Sequence, residues 1–460
     1  MRESRKPLRL LLVVPSPTGR SFWGSFLRMI PNNSLLQVAR LTPQEVEIEL
    51  VDENHSRIRW DRDYDLVGIT CMTCQARRAY EIADEFRRRG VKVVIGGFHA
   101  TFQNDECSLH ADSVVIGEAE GAWEKLIADF QGGKLEKYYQ AETPSDLKGL
   151  PPPRYDLVGL RSYLLFHNYV YLPVSATRGC PYNCDFCSIQ RFYRAGFRAR
   201  PVEEVIQDIK TSGIKKSFFL ADDNFIADRQ YARELLEKII PLKIEWIGQC
   251  DITIAEDPEF LALARRSGLC MIYTGLETIN SENLKGFRKL HPRVEKYPEY
   301  LRNLRQAGIA CLASIMFGFD HDDAQVFERT VDFLIKNRVE GYLAYILNPF
   351  PGSDFSYRLG RENRYLETDL LNWDLYDGTH ALFKPRLMSA RELEKGFWSS
   401  YQKFYSLSSI FRRIFWPPNF SLNPERSLIY SFRMMTWAWL ANVITWVSLK
   451  ITGLHPFTRY

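Results

Sequence analysis

Three cysteines stand close together in one run, SATRGCPYNCDFCSIQ: Cys180, Cys184 and Cys187. Their C-x3-C-x2-C spacing offers three thiolates, the preferred ligands of iron–sulfur clusters. Three such ligands can hold three irons of a [4Fe–4S] cube. The loop has no fourth cysteine, which leaves one iron open to another molecule. Two other readings compete: a three-cysteine zinc site, and structural thiols that bind nothing. Zinc knuckles carry two C-x2-C pairs, or one pair with nearby histidines. Here His167 is the only histidine between Phe166 and Phe225, so the iron–sulfur reading is the stronger of the three.

The loop resembles the signature of the radical S-adenosylmethionine (SAM) superfamily. Phe186, just before the third cysteine, fits the aromatic that packs near the SAM adenine in that family. Thr177–Arg178–Gly179 before the first cysteine and Pro181 after it are typical of one large subgroup. The resemblance implies that the open iron takes the amino and carboxylate groups of SAM. One electron then cleaves SAM to methionine and a 5′-deoxyadenosyl radical. A flavodoxin- or ferredoxin-like donor would supply that electron. The cofactors carry the hard chemistry, and the protein binds and orients.

The elements that must position this loop fill a chain of 460 residues, enough for two or three domains. Hydrophobic residues make up 45% of it, ample for sizeable cores, and the net charge of +4 implies no nucleic-acid partner. Nine cysteines, three of them clustered, do not read as a disulfide framework. The start MRESRKPLRLLLVVPS is basic, but its apolar stretch is short and lacks a small-residue cleavage site. It reads as a first strand rather than a signal peptide. The expectation is a cytoplasmic protein, with an option of peripheral attachment to the cytoplasmic membrane.

Before the cysteine loop, residues 8–140 alternate Val/Ile/Leu runs with helical patterns, as in Leu8–Pro15, Val46–Asp52, Leu66–Cys71, Val91–Gly97 and Ser113–Gly117. Continuous apolar runs separated by helices indicate a parallel sheet covered on both faces, an α/β doubly wound, Rossmann-like domain over 1–140. Ligands of such sheets bind beyond the carboxyl ends of the strands. The loops there resemble the cobalamin-binding domain found in front of many radical SAM enzymes. Thr70 and Thr73 match its hydroxyl-bearing loop, and Gly96, Gly97 and His99 match its Gly-Gly loop. A Gly-Gly pair lets a large flat ligand approach the backbone. Gly117–Glu118–Ala119–Glu120 matches the subgroup's Gly-Glu-x-Glu turn. The D-x-H-x-x-G motif of cobalamin mutases is absent after the first strand, where the chain reads PSPTGRSFWGS. No histidine from that loop could replace the lower axial base. A flavodoxin-like domain that has lost cobalamin is the competing reading. Cys71 and Cys74 read as residues lining the ligand crevice, ahead of a redox or metal pair.

A connector rich in Gly and Pro spans 141–172, beginning in effect near Gly132. Six further βα units follow from Val174, which suits the partial (β/α)6 barrel that the resemblance implies over 173–355. Chemistry in such barrels sits at the C-terminal strand ends. Asp222 follows the second of these strands, and Glu277 closes a Gly-x-Glu after the fourth. The resemblance makes both candidates to bind SAM; the bland reading of either is a helix cap. Cys250, Cys270 and Cys311 read as core. No catalytic side chain is nominated.

Residues 356–460 read as a mostly helical C-terminal region that includes Tyr376–Asp377–Gly378–Thr379–His380. Its end holds an uncharged, Trp-rich run, Met434–Leu449, of 16 residues. A bilayer span needs about 20. A helix lying on a membrane over 428–450 and a terminal helix packed on the barrel are the two expectations.

The functional expectation is a cobalamin-dependent radical SAM enzyme that methylates an unactivated carbon of a hydrophobic or natural-product substrate. One SAM would methylate cob(I)alamin, and a second would supply the radical. The alternative is a radical cyclase or carbon–carbon coupling enzyme acting on a tetrapyrrole or lipid. A lipid- or partner-binding scaffold with a structural cluster is the alternative from another class.

Overall fold

The computed structural model describes residues 7–17, 30–159, 163, 171–194, 196–214, 217–289, 292–366, 372–414 and 442–443. The first sheet holds β1 (Arg9–Val14), β2 (Glu47–Asp52), β3 (Leu66–Thr70), β4 (Lys92–Gly96), β5 (Ser113–Ile116) and β6 (Tyr138–Gln140). Its order is β2-β1-β3-β4-β5-β6, and every pairing is parallel. Strands buried on both faces must be apolar throughout, and Leu10, Leu11, Leu12 and Val13 of β1 are each 0% exposed. Leu11, Val13, Val67 and Ile69 pack under the helix Ala76–Arg88 on one face. Leu10, Leu12, Leu66 and Val94 pack under the helices Asn33–Leu41 and Ala122–Gln131 on the other. Strand β6 lies in the stretch after Gly132 that reads as connector in the sequence. Its three residues, Tyr-Tyr-Gln, are too few to show a strand pattern.

The second sheet begins at β7 (Leu172–Val174). The chain then forms a small antiparallel ribbon, β8 (Thr177–Arg178) with β9 (Arg198–Ala199), which brackets the cysteine loop. The sheet continues through β10 (Ser217–Leu220), β11 (Glu245–Gln249), β12 (Leu269–Glu277), β13 (Ala310–Phe317) and β14 (Gly341–Ile346). These six strands run parallel in chain order, the (β/α)6 arrangement. Burial alternates along them. Ile272, Ala313, Ile315, Tyr342 and Ala344 join the core with the surrounding helices. Met271, Tyr273, Leu312, Met316, Leu343 and Tyr345 are half-buried on the opposite, inward face.

A long C-terminal helix, Ala390–Phe404, covers the β14 edge. The Tyr401 hydroxyl accepts from Ala344 N at 2.7 Å and donates to Ala344 O at 3.1 Å. The Tyr405 hydroxyl treats Tyr342 the same way, at 3.2 and 2.6 Å. Two phenols thus satisfy backbone groups that a seventh strand would otherwise pair. The helix Leu407–Ile414 follows, and its Arg413 is fully buried. Arg413 donates to Val339 O at 2.8 Å and to Asn442 Oδ1 at 2.9 Å. Asn442 also donates to Glu340 O at 3.0 Å. These contacts fasten one point of the Trp-rich run to the barrel; the rest of 428–450 lies outside the described residues. Among the described residues no helix is long and apolar enough to cross a membrane.

Candidate active site

The cysteine loop is held from both domains. At its entry, Asp222 is 3% exposed, and its carboxylate accepts from Ala176 N at 2.9 Å, Thr177 N at 3.0 Å and Thr177 Oγ1 at 2.8 Å. Burial drives this carboxyl up to about 7 against the pull of those bonds. Asp223 accepts from Gly179 N at 2.9 Å. Gly179 has φ 79°, and a Cβ there would stand 2.0 Å from Gly196 O, so only glycine lets the loop cross the ribbon. The expected Asp222 thus sits beneath the loop, its oxygens taken up by Ala176 and Thr177.

The three cysteine side chains form no disulfide. Cys187 N donates to Cys184 O at 3.0 Å, which curls the loop. Burial pushes the Cys184 thiol up to about 11 and the Cys187 thiol up to about 12, and also raises Cys180. A buried thiolate needs a compensating cation, and a thiolate-bound iron provides one. Three thiols in one loop, with no histidine among them, are the donor set of an iron–sulfur cluster.

Phe186 packs beside Phe287, with ring centroids 6.3 Å apart. Glu277 closes β12 with φ 61° and meets Lys289 Nζ at 2.5 Å. The same ammonium donates to Gly275 O at 2.9 Å. A Cβ at Gly275 would lie 2.0 Å from the Glu277 carboxylate, so a larger residue there would displace the Glu277–Lys289 pair. Lys289 is 7% exposed. Burial works against its charge, but Glu277 and the neighbouring Cys184 sulfur more than offset that and hold the amine above its usual range. Nothing in the sequence marks this lysine as the partner of Glu277, since it is one of several basic residues in its stretch.

On the first domain, Gly97 has φ 102°, and its missing Cβ would meet Cys71 O at 3.0 Å and Thr70 Oγ1 at 3.2 Å. Gly96 is roomier, with its nearest such neighbour at 3.5 Å. Thr70, at the end of β3, and Gly97 therefore form one close-packed rim at the carboxyl end of the sheet. Thr73 is buried in the turn Thr73–Gln75 that follows. His99 lies inside: it is 0% exposed, its Nε2 meets the Tyr80 hydroxyl at 2.9 Å, and Trp373 packs edge-on at 4.8 Å. Burial lowers the imidazole to about 4, and Nδ1 has no hydrogen-bond partner. Cys71 is buried and Cys74 half-buried, with both thiols pushed up by burial.

A buried ion-pair network ties this domain to the cysteine loop. Arg178 Nη1 meets Glu118 at 2.7 Å and Glu120 at 2.8 Å, and Nη2 meets Glu120 at 2.5 Å. Arg198 meets the other Glu118 oxygen at 2.7 Å. Behind the two glutamates, Gly117 N donates to Thr101 Oγ1 at 2.9 Å, and Thr101 Oγ1 donates to Gly97 O at 2.8 Å. Polar contacts thus run from the Gly-Gly rim to the residues preceding Cys180. Phe98 also stacks on Phe192 at 4.0 Å, and Gly352 leaves room for Phe102, which a Cβ would approach to 2.4 Å.

A doubly wound domain whose glycine rim is locked to a three-cysteine barrel loop defines a B12-binding radical SAM enzyme. Family models agree: the B12 binding domain matches residues 34–127, and the radical SAM superfamily matches residues 174–334. The chain is 31% identical to bacteriochlorophyllide d C-12(1)-methyltransferase of Chlorobaculum tepidum over 96% of its own length and 93% of that protein's. It is 27% identical to hopanoid C-2 methylase of Rhodopseudomonas palustris, over 74% of this chain and 66% of that one. It shares its fold with the cobalamin-dependent SAM radical enzyme OxsB, at 15% identity and a TM-score of 0.68 over 98% of this chain and 73% of that one. The chain belongs to the cobalamin-dependent radical SAM methyltransferase family, whose cofactors are a [4Fe–4S] cluster, SAM and cobalamin.

Proposed function

We propose that this enzyme adds a methyl group to an unactivated carbon of a flat, largely apolar substrate, a tetrapyrrole of the chlorophyllide type. The observation that carries the reading is the barrel's inward face. Met271, Leu312, Met316 and Leu343 are half-buried there, and the Tyr273 and Tyr345 hydroxyls meet at 3.1 Å. Such a lining suits a broad apolar ring system with polar atoms at its rim. Two relatives at 31% and 30% identity act on bacteriochlorophyllide d.

In this reading Cys180, Cys184 and Cys187 hold the cluster, and Phe186 stands beside the adenine of SAM. Thr70, Thr73, Gly96 and Gly97 form the cobalamin cradle. When bound, these groups supply the carbon radical and the methyl donor. The protein's own residues set the geometry. Asp222 and Asp223 fix the loop entry, and Lys289 places a buried positive charge beside Cys184 and next to Glu277. His99 supports the cradle from below through Tyr80. The enzyme works in the cytoplasm, with a membrane surface at the C-terminus as the source of an apolar substrate.

Purified enzyme reconstituted with iron, sulfide and cobalamin should be given SAM, a reductant and chlorophyllide-type tetrapyrroles under anaerobic conditions. A product heavier by one or more methylene units, formed with 5′-deoxyadenosine, is the expected result. Methylation of a hopanoid but of no tetrapyrrole would refute the substrate class.

A further inference from the structure

Two phenols reach toward each other across the barrel's inward face. Tyr273 of β12 and Tyr345 of β14 stand two strands apart, with β13 between them. Two strand spacings amount to about 9.6 Å, yet the phenol oxygens meet at 3.1 Å. Both rings must lean over β13 to do so. The inward residue there, between Leu312 and Met316, is the small Ser314. Its hydroxyl also bonds that of Tyr273. Gly378 steadies the other ring. Its carbonyl accepts from Ile346 N at 2.7 Å, and a Cβ on it would come 3.0 Å from the Tyr345 ring. A bond between two phenols uses one of their two protons. Burial pushes both phenols up; the Ser314 and Tyr345 hydroxyls pull Tyr273 back, while Tyr273 pushes Tyr345 further up. A hydrogen bond lowers the phenol that accepts it and raises the one that donates it. Tyr345 therefore donates, Tyr273 accepts, and the Tyr273 O–H is left to donate elsewhere. An O–H closed in without an acceptor is costly, so this interior suits a guest that brings an oxygen.

We propose that Tyr273 is the specificity-determining hydrogen-bond donor of the substrate site, and that it takes a ketone oxygen on the edge of the ring system. Ser314 and Tyr345 are positioning residues that aim its hydroxyl. The proposal rests on the tetrapyrrole reading above and sharpens it. Chlorophyllide-type macrocycles carry such a ketone on their extra fused ring. A hydrocarbon of the same girth brings no acceptor and leaves the donor stranded. A site built to hydrogen-bond a substrate rejects the analogue that lacks the group far more strongly than an apolar pocket rejects a change of shape.

The full-length, reconstituted enzyme should be given two substrates: a chlorophyllide-type tetrapyrrole, and the same ring with its ketone reduced to a methylene. The wild-type enzyme should favour the ketone in kcat/KM by about ten- to hundredfold, the usual weight of one buried hydrogen bond. Tyr273→Phe should shrink that ratio to about threefold or less. Ser314→Ala and Tyr345→Phe should shrink it part of the way, because the donor remains but is no longer aimed. A general loss of fold lowers both rates and leaves the ratio alone; iron and corrinoid content report folding separately. Equilibrium binding of the two rings without SAM, followed by quenching of their fluorescence, should change in the same sense. An unchanged ratio in Tyr273→Phe overturns the proposal, and so does a wild-type enzyme with no preference for the ketone. A wild-type enzyme that methylates neither ring strikes the substrate reading beneath, and the inference falls with it.

Discussion

Arg178 is the most informative residue to remove. Its guanidinium makes three bonds to Glu118 and Glu120, and the side chains involved are 12%, 7% and 6% exposed. Two of the bonds grip Glu120 from both oxygens. A hydrogen bond to a charged group contributes about 1.5–3 kcal/mol net, so the two together represent about 3–6 kcal/mol. Breaking a buried pair by deleting one partner costs about 3–5 kcal/mol, an independent route to about 4 kcal/mol. Arg178→Met should therefore destabilise the fold by that amount, a large part of the roughly 5–15 kcal/mol available to a domain. Glu120→Gln should cost about half, because its carbonyl still accepts one bond while its amide faces a donor. A double-mutant cycle under anaerobic urea denaturation then measures the pair. The expected coupling is about 2 kcal/mol or more; single effects that add within about 0.5 kcal/mol would refute the reasoning. A second readout separates positioning from stability. If the pair registers the cobalamin domain against the cluster, Glu120→Gln should form more 5′-deoxyadenosine per methylated product while keeping its iron and corrinoid.

Cys180→Ala, Cys184→Ala and Cys187→Ala should each abolish iron binding and 5′-deoxyadenosine formation, checked by iron analysis and chromatography. Gly97→Ala should strain a left-handed position by about 1–3 kcal/mol and crowd Thr70, so corrinoid absorbance should fall while iron content stays. Tyr401→Phe leaves the Ala344 N–H and C=O without their phenol and should cost about 1–3 kcal/mol, read as a lowered urea midpoint. The pH dependence follows from His99, whose imidazole is lowered from 6.5 to about 4 by burial. The unfolded chain binds that proton first as pH falls, so stability should decline from about pH 6.5 toward 4. The total is about 3 kcal/mol, and His99→Gln should flatten the slope.

Much of this architecture is legible in the chain because its strands are buried on one or both faces and read as apolar runs. The cysteine loop is legible because its spacing gathers three thiols in one short run that lacks histidine. The two Gly-rich positions, Gly97 and Gly179, are legible as glycines, although only the packing shows what each must avoid: Cys71 and Thr70 in one case, the Gly196 carbonyl in the other. What the pattern does not carry is partnership. Glu118 and Glu120 stand in a recognisable turn, yet their meeting with Arg178 spans about sixty residues of sequence. Lys289 has no local signature and acquires its place only when its loop folds over Glu277. Asp222 stands where a ligand is expected, but its oxygens turn inward to backbone amides because the strand end beside it has donors to satisfy. His99 follows the Gly-Gly pair in sequence, and the first turn of its helix carries it under the sheet rather than onto the rim.

The phenols of Tyr401 and Tyr405 bear on how the barrel varies in width. A sheet closed by strands can grow only in steps of one strand, about 4.8 Å at a time. A sheet ended by two hydroxyls on a helix has no such step, because a side chain can lengthen, tilt or recede without breaking a ladder. The opening on that side can therefore be adjusted to the girth of a guest by substitutions in a single helix. The six strands that carry the cysteine loop, Glu277 and the inward tyrosines keep their register throughout.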